Sequence, residues 1–156
     1  MMNREMVSIE QTKQLVEIMY KEFISKISVK GIKWELEFIT RTPPNLCFKQ
    51  LSSSYKTRKF INGGYVAELP FIIRYKDKAD STNNILELSQ VLYDIANYFD
   101  QERMNGFKVL DNLLPEGYEV ESLQMTSTPS LDNGIENMIA SFSATYKLVY
   151  RVKGEY

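Results

Sequence analysis

The chain has no histidine and a single cysteine, Cys47, in 156 residues. The missing histidine removes the commonest general base, the Ser–His and Cys–His nucleophile pairs and the usual nitrogen ligand of metal sites. With one Cys and no His, no zinc site of ordinary ligand type can be assembled. A lone cysteine forms no intramolecular disulfide and reads as a small buried residue in a reducing cytoplasm. Gly63 and Gly64 are followed by no Lys-Ser/Thr pair, so they make no phosphate-binding loop. No apolar run approaches the roughly 18 residues of a membrane span, and Met1 to Glu10 has no signal-peptide core. Charge of either sign is not in excess: 19 Lys and Arg stand against 20 Asp and Glu. That balance gives no bulk attraction to nucleic acid or an anionic membrane, and little repulsion between copies.

What is present is pattern. Val16, Met19, Tyr20, Phe23 and Ile27 recur at three and four, the spacing of an amphipathic helix. Ser8 with Gln11 makes a capping box that starts this helix near Ile9, and Gly31 ends it. Ile85, Leu88, Leu92, Ile95, Ala96 and Phe99 form a second stripe, capped by Ser81 or Thr82, with Gly106 beyond its end.

Elsewhere the period is two. Trp34-Leu36-Phe38, Leu46-Phe48-Gln50, the Tyr65–Tyr75 run, Tyr118-Val120-Ser122-Gln124 and the Phe142–Val152 run predict strands. Pro43 and Pro44 break the chain between the first two. Pro70 removes a ladder donor, so a sheet edge or bulge is expected there. The fold predicted is α+β, one domain over residues 1–156. It has an antiparallel or mixed sheet of four to five strands, with two amphipathic helices packed on one face.

Chemistry is hard to build from these residues, and no catalytic, cofactor or metal residue is assigned. Glu35 with Glu37, and Glu119 with Glu121, stand at i,i+2 on the polar faces of predicted strands, where a solvated face is the simpler reading than a carboxylate dyad. Asp77, Asp80, Glu87 and Asp94 lack the spacing of a calcium loop. Two surface features remain as interface candidates. Lys56, Arg58 and Lys59, with Lys49 nearby, form either a basic finger for DNA or an acidic partner, or a solvated loop. Thr128, Pro129 and Ser130 belong to a long polar stretch, Thr126 to Gly134, that is either an interface or a mobile connection.

Three strings occur in order along this layout: Phe60-Ile61-Asn62-Gly63-Gly64-Tyr65, Glu68-Leu69-Pro70-Phe71, and Ser127-Thr128-Pro129-Ser130-Leu131 before a long aromatic strand. With the element order, they resemble the minor capsid and tail-terminator family of long-tailed bacteriophages and of prophages in Gram-positive bacteria. The resemblance implies a structural virion protein, not an enzyme, without cofactors and assembled in the bacterial host cytoplasm. Such proteins form a ring, usually a hexamer, on the head-proximal end of the tail tube. The ring stops tube polymerisation and presents a surface to the head connector. Its partners are then further copies of the chain, the tail-tube protein, the head connector protein and DNA in the ring lumen, with no membrane. On this reading Lys56, Arg58 and Lys59 face the tube or the lumen, and reversing their charge lowers tube binding while sparing the ring. A head-completion or connector protein of the same virion is the alternative. A small-ligand binding module, needing a deep apolar pocket with convergent polar groups, is the alternative from another class.

Overall fold

A computed structural model describes residues 5–28, 32–36, 45–79, 82–136 and 138–154, with backbone alone for 82–85 and 133–136. The elements in chain order are β1 (Glu5–Met6), α1 (Ile9–Ile18), β2 (Lys33–Leu36), β3 (Asn45–Gln50), β4 (Tyr55–Lys59), β5 (Tyr65–Lys78), α2 (Thr82–Met104), α3 (Lys108–Leu113), β6 (Tyr118–Met125), β7 (Ser130–Glu136) and β8 (Ile139–Val152). Helix α1 runs on through a π-helical turn, Met19–Phe23, and a 3-10 turn, Ile24–Lys26.

The two strongest alternations in the sequence make the centre. All 14 residues of β5 pair antiparallel with the 14 of β8. Ala67, Leu69, Phe71, Ile73 and Tyr75 face one way, opposite Tyr150, Leu148, Tyr146, Ala144 and Phe142, and all are buried. Fully burying one such large apolar side chain is worth about 1.5–3 kcal/mol. Each central strand is long enough to carry two shorter neighbours on its free edge. β4 pairs with the first part of β5 and β3 with the second; β6 pairs with the last part of β8 and β7 with the first. β1 extends the sheet beyond β4, and β2 joins β3 in its parallel pairing.

The sheet therefore has eight strands, and four to five is an undercount. The three unforeseen strands, β1, β4 and β7, all lie towards the rim, where short or interrupted ladders and little burial leave a weak hydrophobic pattern. β1 has two residues, and the ladders of β4 and β7 are each interrupted by a register shift. There are also three helices, not two. The unforeseen one, α3, spans six residues, too few to display a stripe.

Pro70 lies neither at an edge nor at a bulge. Its carbonyl accepts from Leu51 N–H, so its nitrogen points to the same side, away from β8. There the neighbour changes from β4, ending at Glu68, to β3, beginning at Phe71. The missing donor thus costs no ladder bond.

The helices lie against the same face. Phe99 of α2 meets Phe71 and Tyr146 edge-on, Phe23 stacks on Phe99, and Tyr20 stacks near Phe48. Leu88, Val91, Leu92, Ile95 and Phe99 of α2 are all buried. Ser8 caps α1 by accepting from Gln11 N–H at 3.2 Å. The helical run stops at Lys26, with Ile27 already extended. The expected stop at Gly31, the strand residues Glu37 and Phe38, the break at Pro43-Pro44, Asp80 and the Ser81 cap lie outside the described residues, as do the side chains of Thr82 and Ile85. Among the described residues no helix covers the opposite face of the sheet.

Candidate functional site

The basic residues occupy a strand rather than a loop. Lys56 pairs in register with Ala67, which turns its side chain to the helix-bearing side; its ammonium lies 4.5 Å from the centre of the Tyr65 ring. Glu5 on β1 accepts from the Nζ of both Lys56 and Lys59. The bond from Lys59, and after it that from Lys56, holds the Glu5 carboxyl below the usual carboxylate range. A register shift at Thr57 separates Lys56 from Arg58. Arg58 therefore pairs with Val66 on the open face, is exposed, and forms no ion pair among the described residues.

Thr128, Pro129 and Ser130 lie elsewhere. Thr126 and Ser127 are tied to Thr145: both backbone N–H groups donate to its carbonyl, and Ser127 Oγ accepts from its N–H at 3.0 Å. Thr128 is exposed, Pro129 half-buried, and Ser130 opens β7 opposite Ser143. Two residues on, Asp132 accepts from the hydroxyls of Ser141 and Ser143, with Arg74 Nε 3.8 Å away. Half of the supposed loop is thus an edge strand pinned by a carboxylate. From strand spacings, the β4 and β7 candidates stand at opposite corners of the sheet, on the order of 30 Å apart. They do not form one site.

Residues not anticipated as interface candidates lie on the β6 edge. Glu119 pairs with Arg151 and faces the open side; Glu116, Glu119 and Glu121 are all exposed. A register shift at Glu121 inverts the strand's phase, so Leu123 and Met125 join Tyr118 and Val120 toward the core. Glu121 bonds Arg151 at 3.4 Å, while Glu119 has no ion pair among the described residues. The i,i+2 spacing seen in the sequence thus conceals two different environments.

Among the described residues no three acidic or Cys side chains gather as a metal site. Asp77 is occupied by the Tyr75 hydroxyl at 2.6 Å and by Lys78 N–H. One cleft, about 420 Å³, lies between the end of α1 and the α2–α3 corner and includes Phe23, Lys26, Tyr98, Glu102 and Val109. Glu102 there accepts from the Leu110 N–H at 3.0 Å, a structural cap. A smaller hollow of about 270 Å³ lies between α1 and Leu36, Gln50 and Ser53. No helix among the described residues is long and apolar enough to cross a membrane. Neither a protein-family model nor a curated protein matches the chain.

Proposed function

We propose that the protein is a structural subunit of a long-tailed phage virion, a tail terminator whose copies form a ring, a hexamer by the family resemblance, that caps the tail tube and meets the head connector. The observation that carries the reading is the pair of unlike sheet edges. β1 and β2 border one side and β6 and β7 the other, and surfaces that differ at two sides of a subunit join copies head to tail. The three strings behind the resemblance fall at construction points of the sheet. The Asn62-Gly63-Gly64 turn joins β4 to β5, Pro70 marks the change of neighbour, and Thr128–Ser130 lead into β7. DNA passing through the lumen is part of the same proposal, as is assembly in the bacterial host cytoplasm.

The test is to polymerise the cognate tail-tube protein with and without this protein and measure tube lengths by electron microscopy. Capped tubes of limited length, with density at one end, are expected. Tubes that grow unchanged, with the protein unbound, would contradict the proposal. Binding to the portal or connector without binding to the tube would move the protein to the head side of the joint.

A further inference from the structure

The two long edges of the sheet carry opposite charge at the same level. One row of outward positions runs Arg58 on β4, Val66 on β5, Arg151 on β8 and Glu119 on β6. Lys56 and Lys59 flank Arg58 along β4 but register with Ala67 and Tyr65 on the helix-bearing face, where both bond Glu5; Lys59 keeps 63% of its side chain exposed. Beside Glu119 stand the exposed Glu116 and Glu121. Glu5 takes up part of the positive charge, and Arg151 takes up Glu121. Lys153, exposed and with its backbone N–H donating to the Gly117 carbonyl, adds one positive charge on the acidic side. After these pairings the β4 edge remains basic and the β6 edge acidic, with Arg58 and Glu119 as their unpaired ends among the described residues.

We propose that these edges meet: the end of β4 beyond its pairing with β1, at Arg58 and Lys59, docks on the β6 edge of a second copy of this chain. The inference rests on the ring-subunit reading above for its setting. The contact is heterologous, so repetition closes a ring or runs into a filament. Because both charged ends share one row, the neighbour docks level with the first sheet, without a step along the strands. Complementary potentials set the register and speed encounter, and they weaken with salt. This assigns Arg58 and Lys59 to the neighbouring copy instead of the tube or the DNA.

The experiment is sedimentation velocity with light scattering on the full chain at high concentration. The wild type should self-associate in low salt and weaken as salt rises. R58E/K59E and E116K/E119K should each lose at least about tenfold in association, since like charges would face each other. Circular dichroism checks that both variants fold. Mixed together they should recover association, because each reversed edge then meets its complement. A monomeric wild type in low salt, unaltered association of the variants, or a mixture that stays dissociated would each overturn the proposal. Tube capping by the wild type alongside unaltered variant association would sink the edge contact and leave the terminator reading intact. Charge-dependent association without capping would do the reverse.

Discussion

Phe71 and Tyr146 lie directly opposite each other on the two central strands, ring centroids 5.5 Å apart and planes 12° from parallel. Tyr146 also donates its hydroxyl to the Leu92 carbonyl of α2 at 2.9 Å, so one side chain ties the sheet to the helix layer. Tyr146→Phe should cost about 1 kcal/mol, the net worth of one buried hydrogen bond. Phe71→Ala should cost about 3–5 kcal/mol, through lost burial and a cavity. Urea unfolding measures both, and equal effects would show that the hydroxyl carries more than a single bond.

Gly154 and Asn62 make the closest backbone approach of the β4–β5 turn. A Cβ on Gly154 would stand 2.3 Å from the Asn62 carbonyl oxygen and 2.5 Å from its Oδ1. Asn62 Oδ1 meanwhile accepts from Gly64 N–H and shapes the turn. Gly154→Ala should therefore destabilise the protein by about 1–3 kcal/mol. Gly63→Ala meets no neighbour and should cost less, about 1 kcal/mol, for its φ of 89° alone. Thermal melts of the two variants give the comparison, and a reversed order would contradict it.

Glu102 supplies a cap that the local sequence cannot. The residue before α3, Phe107, is left-handed at φ 57° and has no side-chain acceptor, so the N–H of Leu110 turns to Glu102 on the preceding helix. Glu102→Leu should cost about 1–2 kcal/mol and raise hydrogen exchange in α3, while Glu102→Gln keeps the acceptor and most of the stability. Equal loss in both would point to the charge instead.

Burial raises the ionisation of Tyr146, Tyr65 and Tyr75 well above the ordinary tyrosine range, and pushes Tyr150 up to about 12. Unfolded tyrosine ionises near pH 10, so these groups contribute full stability below that value. As pH rises from about 10 towards 12, the unfolded chain loses protons that the folded one keeps, and stability falls. Tyrosinate absorbance of the buried rings should arrive together with loss of circular dichroism. Ionisation of all ten tyrosines with the fold intact would contradict this.

At the acid end the sign reverses. The Glu5 carboxyl is held low, so its bonds to Lys59 and Lys56 persist above the ordinary carboxylate range and are lost as pH falls through the lowered value. Amide exchange at Met6 and Val7 should quicken in that window, with Glu5→Gln quick at every pH. Exchange at these amides that ignores both pH and the substitution would leave Glu5 no part in holding β1.

The centre of the fold was legible because every second side chain is buried from Tyr65 to Tyr75 in β5 and from Ala140 to Tyr150 in β8. The rim was not. Lys56, Thr57, Arg58 and Lys59 read as a polar loop because a register shift puts Lys56 and Arg58 on opposite faces. Glu121 inverts β6 in the same way, which turns Leu123 and Met125 inward against the apparent alternation. Neither shift has a composition signal, since any residue can occupy the extra position. The basic half of the candidate interface was visible as a charge cluster. Its acidic counterpart was not, because Glu119 becomes notable only once β6 is known to lie on the same row as Arg58, three strands away.

The central claim is that this protein occupies the junction between tail tube and head. Imaging virions or isolated tails by electron cryomicroscopy, with the protein located by a bound antibody fragment, tests it most directly. A ring at the head-proximal end of the tube is the result expected. Particles that lack the protein there, or that carry it at another position, would contradict the account.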